Sequence, residues 1–505
     1  MIFQRKISPP SLVACFLSVA VVFAVYGVSD RVYERMPHFE DEMAYVWQAQ
    51  AIAGGQLALP SPPQSKSFLT PFVIDYHGLR FSKYPPGWPT VLALGIASGL
   101  RDWINPLLAG WGLWLLYRLA RRITSPTISL LAVLLMLTSP MFWLLSASLL
   151  SHAWSLVVTL GFVLAWLDTF STEGARDSAP AWLTAAIAGL SLGVLALTRP
   201  MTAVGVGLPF FVHGLVLLAS GDKSVRIRVL SVGVLAALVG GLLFGWQFAV
   251  TGDPLHNPYT LWWKYDKIGF GLGYGRWEDG HNLEHAWYNI RYSLGVPGTG
   301  GDMLGWGSLW WLFMPFGLWV LRRKPSAWLA AGILPGTLLA YVPYWIGSWQ
   351  YGPRYYYEGM ISVVLLNAAG VGWLAGERGR LRKALTMLAL IVLVGANLLV
   401  YLPARLWKMH GMYGITRSML EPFSTQEARQ YIPALVIVHW EDEWTEYGGL
   451  LELQNAQLDT PFIFAIHRNA QADEELSKAF SERQVIHYYP SEPFTFYLAP
   501  VTVQP

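Results

Sequence analysis

The chain has 505 residues, of which 54% are hydrophobic and only 13% charged. That is about half the charged share of a soluble domain, so a soluble globular protein is excluded. A net charge of +3 leaves no basic surplus for nucleic acid, and the single cysteine, Cys15, excludes an internal disulfide.

Arg5 and Lys6 precede a first apolar run at 11–29 that is long enough to span a bilayer and is followed by no small-residue cleavage site. It is read as a retained span entering from the cytoplasmic side. Ten further apolar stretches follow, at 103–120, 126–146, 151–170, 181–198, 201–219, 229–249, 304–321, 326–346, 358–375 and 384–402, for eleven predicted spans. Basic residues punctuate alternate connections: Arg118, Arg121 and Arg122; Arg176; Lys223, Arg226 and Arg228; Arg322, Arg323 and Lys324; Arg378, Arg380, Arg382 and Lys383. The positive-inside rule makes these turns cytoplasmic. The stretch Tyr84–Gly99 has an apolar part, Trp88–Ala97, too short to cross, and is read as a helix lying or dipping at the outer surface.

The fold expected is an α-helical polytopic membrane protein of about eleven spans, with outer-surface and re-entrant helices and a small C-terminal α/β soluble domain. Residues 1–402 form the membrane domain, with outer loops 30–102 and 250–303, and 403–505 the extracytoplasmic domain. The tail has seven basic and thirteen acidic residues, a charge of −6, which leaves +9 for the remainder. Strands are expected at Leu435–Trp440, Pro461–His467, Gln484–Tyr489 and Phe494–Leu498, and a helix at Gln471–Phe480. The cluster Glu441-Asp442-Glu443 reads as a solvated turn. The location implied is the inner (plasma) membrane, with the working parts outward.

In the first outer loop, Asp41 can cap a short helix that Gly54-Gly55 terminates, with Met43, Val46, Trp47 and Ala51 as an apolar stripe; such a helix lies flat on the membrane. Glu40, Asp41 and Glu42 at its start suit the helix dipole, and equally suit a general base at the bilayer surface. Lys83, before Tyr84-Pro85-Pro86-Gly87, is either a snorkelling lysine or a phosphate clamp. Arg199 and Arg354 stand at outer ends of spans against the charge bias, so each needs an anion, from a carboxylate or a lipid phosphate. His152, at the outer end of the fourth span, suits a structural hydrogen bond or a substrate contact. His256, His281 and His285 lie among Trp262, Trp263, Tyr274 and Trp277; no His-Glu-x-x-His pattern supports zinc, and the aromatics suit sugar stacking or an interface belt. No glycine-rich nucleotide loop is present in the tail.

Taken together, Phe39-Glu40-Asp41-Glu42 with Tyr45 and Gly54-Gly55, Lys83-Tyr84-Pro85-Pro86-Gly87, Thr198-Arg199-Pro200 and Gly352-Pro353-Arg354-Tyr355 resemble, in that order, the C-type (GT-C) membrane glycosyltransferase superfamily. The similarity is to its bacterial branch of protein O-mannosyltransferase and lipid A aminoarabinose transferase-like enzymes, over roughly residues 10–400. The resemblance implies transfer of a sugar from a polyprenyl-phosphate donor lipid to a glycan, lipid or protein acceptor hydroxyl at the outer face, with inversion. It implies Asp41 and Glu42 as the catalytic acids, Asp41 as the base, and Lys83 on the donor phosphate. Arg354 and Arg199 are further phosphate candidates, and Glu40, Tyr84, His152 and Tyr355 candidate substrate contacts. The family's second acid, often in the next outer loop, is replaced here by Ser151-His152, so no metal is assigned. Two rivals share the composition: a lipid or polysaccharide transporter, and a ligase that moves a glycan from a diphosphate carrier.

Overall fold

The computed structural model describes residues 8–170, 179–295, 300–348, 350–376, 379–441 and 444–501. Arg5, Lys6, Arg176, Arg378, Asp442 and Glu443 lie outside the described residues.

The chain begins with α1 (Pro9–Val32) and α2 (Glu40–Ala53), then three antiparallel strands, β1 (Leu59–Pro60), β2 (Val73–Tyr76) and β3 (Leu79–Ser82), in the order β1-β3-β2. Helices α3 (Gly87–Ala97), α4 (Ile104–Ile123), α5 (Pro126–Thr138), α6 (Pro140–Ala147), α7 (His152–Phe170), α8 (Ala179–Thr198), α9 (Pro200–Ser220) and α10 (Lys223–Thr251) follow. An irregular segment with α11 (Tyr259–Trp262) and α12 (Leu283–Leu294) leads to α13 (Met314–Leu321), α14 (Pro325–Ala331), α15 (Ile333–Tyr341), α16 (Met360–Leu374) and α17 (Arg380–Ala396). The C-terminal part carries α18 (Leu402–Trp407), α19 (Gln426–Arg429), β4 (Ala434–Val438), α20 (Thr445–Gly448), β5 (Phe462–Ile466), α21 (Ala470–Ala479), β6 (Gln484–Tyr488) and β7 (Phe496–Tyr497).

The protein is a helical multi-pass membrane protein: among the described residues seven helices are long and apolar enough to cross a membrane. The predicted spans 126–146 and 326–346 are not single straight rods. Ser139 ends α5 and its side chain accepts the Phe142 N–H to start α6 at Pro140, a 65° bend that follows from proline's missing N–H. Gly332 divides α14 from α15. Small residues let the helices close up: a Cβ at Gly317 or Gly370 would lie 2.0 Å from a backbone oxygen across the α13–α16 contact.

Charge separates the two ends of the bundle. At one end, Arg122 of α4 pairs with Asp168 of α7, and Lys324 donates to the Ile123 carbonyl at 2.7 Å. At the other, α2, the start of α7, the α8–α9 corner and the start of α16 converge.

Helix α2 is not an interfacial helix with one apolar stripe. Ten of its 14 residues are buried, because α3 packs on one side and the C-terminal part on another. Its Gln48 fastens the strands, accepting the Ser82 N–H and donating to the Leu57 carbonyl, both at 2.8 Å. The C-terminal sheet runs β5-β4-β6-β7, with β4 parallel to both neighbours and wholly buried, and α21 falls within one residue of the expected helix. This unit is docked rather than detached: Arg101 pairs with Glu452 at 2.7 Å, and Gln457 donates to the Gln50 carbonyl at 3.1 Å.

Candidate functional site

Helix α2 starts two residues earlier than expected, with Phe39 as N-cap, so Asp41 lies within its first turn instead of capping it. Neighbouring helical side chains diverge by about 100°, and the two acids take different roles in the fold. Glu42 turns inward, 1% exposed; its Oε2 accepts from the His38 N–H at 2.9 Å and the Tyr351 hydroxyl at 3.4 Å, and its Oε1 from the Leu149 N–H at 2.7 Å. Burial pushes its carboxyl up to about 7. Glu42 is a brace between α2 and the turn before α7, and it does not line the cavity that the other candidates share. Asp41 faces that cavity. Arg354 Nη1 donates to its Oδ2 at 3.0 Å, and the Tyr84 hydroxyl donates to its Oδ1.

Lys83 follows β3, its N–H held by the Phe72 carbonyl at 3.0 Å. It is neither snorkelling nor solvated: the side chain is 3% exposed, with Nζ 3.4 Å from the Phe72 ring centre and 4.6 Å from that of Trp263. Its counter-charge is Asp266 at 3.7 Å. Asp266 Oδ1 is itself fixed by the Trp345 indole N–H at 2.9 Å and the Tyr344 hydroxyl at 3.2 Å. Burial lowers the Lys83 ammonium to about 8, against the opposing pull of Asp266, Asp41 and Glu40. Burial also raises the carboxyls of Asp266 and Glu40.

Arg199, the N-cap of α9, donates to His152 Nε2, to Thr202 Oγ1 at 3.1 Å and to the Arg354 carbonyl at 3.3 Å. Its acidic neighbour is the buried Glu358, which takes a hydrogen bond from Ser155. The Arg354 guanidinium lies 4.8 Å from the Phe39 ring centre, and Tyr355 stacks on Tyr341 at 5.0 Å.

These side chains line one cavity of about 520 Å³, with Glu40, Asp41, Lys83, Tyr84, His152, Arg199, Arg354 and Tyr355 all on its wall. Three carboxylates, Glu40, Asp41 and Asp266, and four cations, Lys83, Arg199, Arg276 and Arg354, share its wall, and Glu358 behind Arg199 adds a fourth acid. His281 and His285 are used elsewhere, bonding the Val342 and Gly280 carbonyls and stacking with Phe270 and Trp277. Among the described residues no three His, Cys, Asp or Glu side chains converge as a divalent cation requires.

Sequence reasoning missed Asp266 and Glu358. Asp266 ends the run Trp262-Trp263-Lys264-Tyr265-Asp266, an acid in a row of aromatics within an outer loop. Glu358 opens an apolar stretch in which an ionisable residue is itself a signal of function.

No family model and no curated protein matches the sequence. Solved structures do match in fold. ArnT from Cupriavidus metallidurans bound to undecaprenyl phosphate is 14% identical with a TM-score of 0.55, over 95% of this chain and 90% of that one. Its apo state is 16% identical at a TM-score of 0.53, over 93% and 88%. The archaeal oligosaccharyltransferase AglB from Archaeoglobus fulgidus, in complex with an inhibitory peptide and a dolichol-phosphate, is 11% identical at 0.50, over 94% of this chain and 69% of that one. The chain has the fold these proteins share.

Proposed function

We propose that this chain is an integral-membrane glycosyltransferase of the GT-C type that moves a sugar from a polyprenyl-phosphate carrier to an acceptor hydroxyl on the extracytoplasmic face, with inversion at the anomeric carbon. The observation that carries this reading is the meeting of Asp41 with Arg354, Lys83 and Arg199 in one cavity. The fold relatives captured with undecaprenyl phosphate and dolichol-phosphate support a lipid-phosphate carrier.

The reaction is a single displacement. The acceptor oxygen attacks the anomeric carbon, the bond from that carbon to the phosphate oxygen breaks, and Asp41 takes the hydroxyl proton. The departing phosphate gathers charge, which Lys83, Arg199 and Arg354 offset in a largely buried setting. Glu42 is a structural brace in this scheme, and Glu40, Tyr84, His152 and Tyr355 border the donor and acceptor. The basic residues at the opposite end of the bundle, Arg122 and Lys324 among them, support a cytoplasmic orientation of that end by the positive-inside rule, and with it an extracytoplasmic cavity.

The test is transfer from defined donors. The purified chain in lipid nanodiscs is given, in parallel, labelled polyprenyl-monophosphate sugars and polyprenyl-diphosphate glycans with candidate acceptors, and the lipid product is weighed by mass spectrometry. Release of polyprenyl monophosphate in step with glycosylated product supports the proposal. Release of a diphosphate lipid makes it a ligase, and lipid translocation without product makes it a transporter.

A further inference from the structure

The acid beside Lys83 is supplied by neither motif that carries Asp41 or Lys83 itself. It comes from the segment between α10 and α12, and it is built in: Asp266 is 2% exposed and held by Trp345 and Tyr344. That leaves its Oδ2 as the face toward Lys83 Nζ. The lysine sits on the Phe72, Trp263, Tyr84 and Tyr259 rings, with no other carboxylate among the described residues within ion-pair distance. A buried ammonium without a counter-charge sheds its proton, and a neutral amine is a poor phosphate ligand.

We propose that Asp266 is a positioning residue: it supplies the counter-charge that keeps the Lys83 ammonium formed and aimed into the cavity until the donor phosphate replaces it. The proposal rests on the reading of Lys83 as a phosphate ligand. It has an unusual signature, because Asp266 acts on an incoming anion in two opposite ways. Its own negative charge repels the phosphate, and its support of the Lys83 proton attracts it. Where Lys83 stays protonated without help, only the repulsion counts. At higher pH the support of the proton decides. The other charges facing Lys83 are Asp41 and Glu40 from α2 and Arg354 ahead of α16, all unchanged by substitution at 266.

The experiment is equilibrium binding of undecaprenyl phosphate to the full chain in lipid nanodiscs, followed by tryptophan fluorescence from pH 6 to 9.5. Wild type is expected to hold its affinity up to a break near pH 8, where Lys83 titrates. Asp266→Asn is expected to bind as tightly as wild type or tighter at pH 6, with the break lowered by about one unit or more. Asp266→Ser reads the same shift in a second background, and Asp266→Glu restores the wild-type profile. Asp266→Asn and Asp266→Ser binding that weakens equally at every pH, with the break unmoved, overturns the proposal in favour of a merely structural aspartate. Lys83→Ala removes the break and lowers affinity at least tenfold. If it binds like wild type, or if wild type does not bind the lipid, the phosphate-ligand reading falls and the role of Asp266 falls with it.

Discussion

Asp41 and Arg354, 313 positions apart in sequence, meet at 3.0 Å on the wall of the cavity. The pairing explains how both charges tolerate a site that is only 11–12% exposed. It also links binding to catalysis in the proposed reaction: a donor phosphate that draws Arg354 away leaves Asp41 free to accept a proton.

The adjacent acid is expected to behave differently. Glu42→Ala orphans two buried backbone N–H groups, those of His38 and Leu149, a cost on the order of 2–5 kcal/mol. Its thermal midpoint in detergent falls by several degrees. The pH dependence has a definite sign. A carboxyl raised to about 7 in the folded protein from 4.5 favours the folded state while protonated, and that contribution is lost as pH climbs from about 5 to about 7. The difference in midpoint between wild type and Glu42→Gln narrows across that window as wild type weakens.

Gly87 opens α3 against the end of α8. A Cβ there would lie 2.5 Å from Thr198 Oγ1 and 2.7 Å from the Leu197 carbonyl oxygen. Gly87→Ala is expected to destabilise by about 1–3 kcal/mol through overpacking. The displaced helix carries the Lys83-Tyr84-Pro85-Pro86 segment with it, so affinity for a lipid phosphate drops alongside the thermal midpoint.

The Arg101–Glu452 pair, about one-fifth exposed on each side, ties the C-terminal unit to the start of α4. Removing one partner with Glu452→Ala costs about 1–3 kcal/mol, between the exposed and the buried cases. Hydrogen exchange is expected to quicken in 408–417 and in α20 while the membrane helices are unaffected. Unchanged exchange there denies the pair a docking role.

Much of the fold was legible because membrane helices must satisfy every backbone group internally, so apolar stretches of the right length announce themselves. The breaks at Pro140 and Gly332 were harder, since both sit inside apolar runs whose total length still fits a span. In the cavity, Arg199 and Arg354 could be picked out because each is a cation at a span end where the charge bias disfavours one, whereas Asp41 and Lys83, each with an ordinary local explanation, stood out only through the motifs that carry them. The resemblance named Asp41 as the base but kept Glu42 beside it as a catalytic acid: one residue of helical rotation decides which faces the cavity, and that depends on how α2 packs. Asp266 was hidden for a related reason, since only the folded path of 250–303 brings it to Lys83.

Three histidines follow or close adjacent strands of the C-terminal sheet: His439 after β4, His467 after β5 and His487 in β6. His439 hydrogen-bonds His487 at 2.8 Å, and His467 bonds Asp473 at 2.7 Å. Burial and the two neighbouring imidazoles lower His439 to about 4. A histidine depressed on folding favours the folded state while neutral, so that contribution fades as pH falls from about 6.5 toward 4. Hydrogen exchange of β4 and β6 is expected to accelerate over this range in wild type and less in His439→Phe.

The central claim is that Asp41 removes the acceptor proton in transfer from a polyprenyl-phosphate sugar. Its most direct test is the single-turnover rate of polyprenyl-phosphate release with saturating acceptor, compared between wild type and Asp41→Asn at equal donor occupancy. The account predicts a loss of at least about 100-fold, the usual scale for a general base, with donor affinity retained. An Asp41→Asn enzyme turning over at the wild-type rate contradicts it.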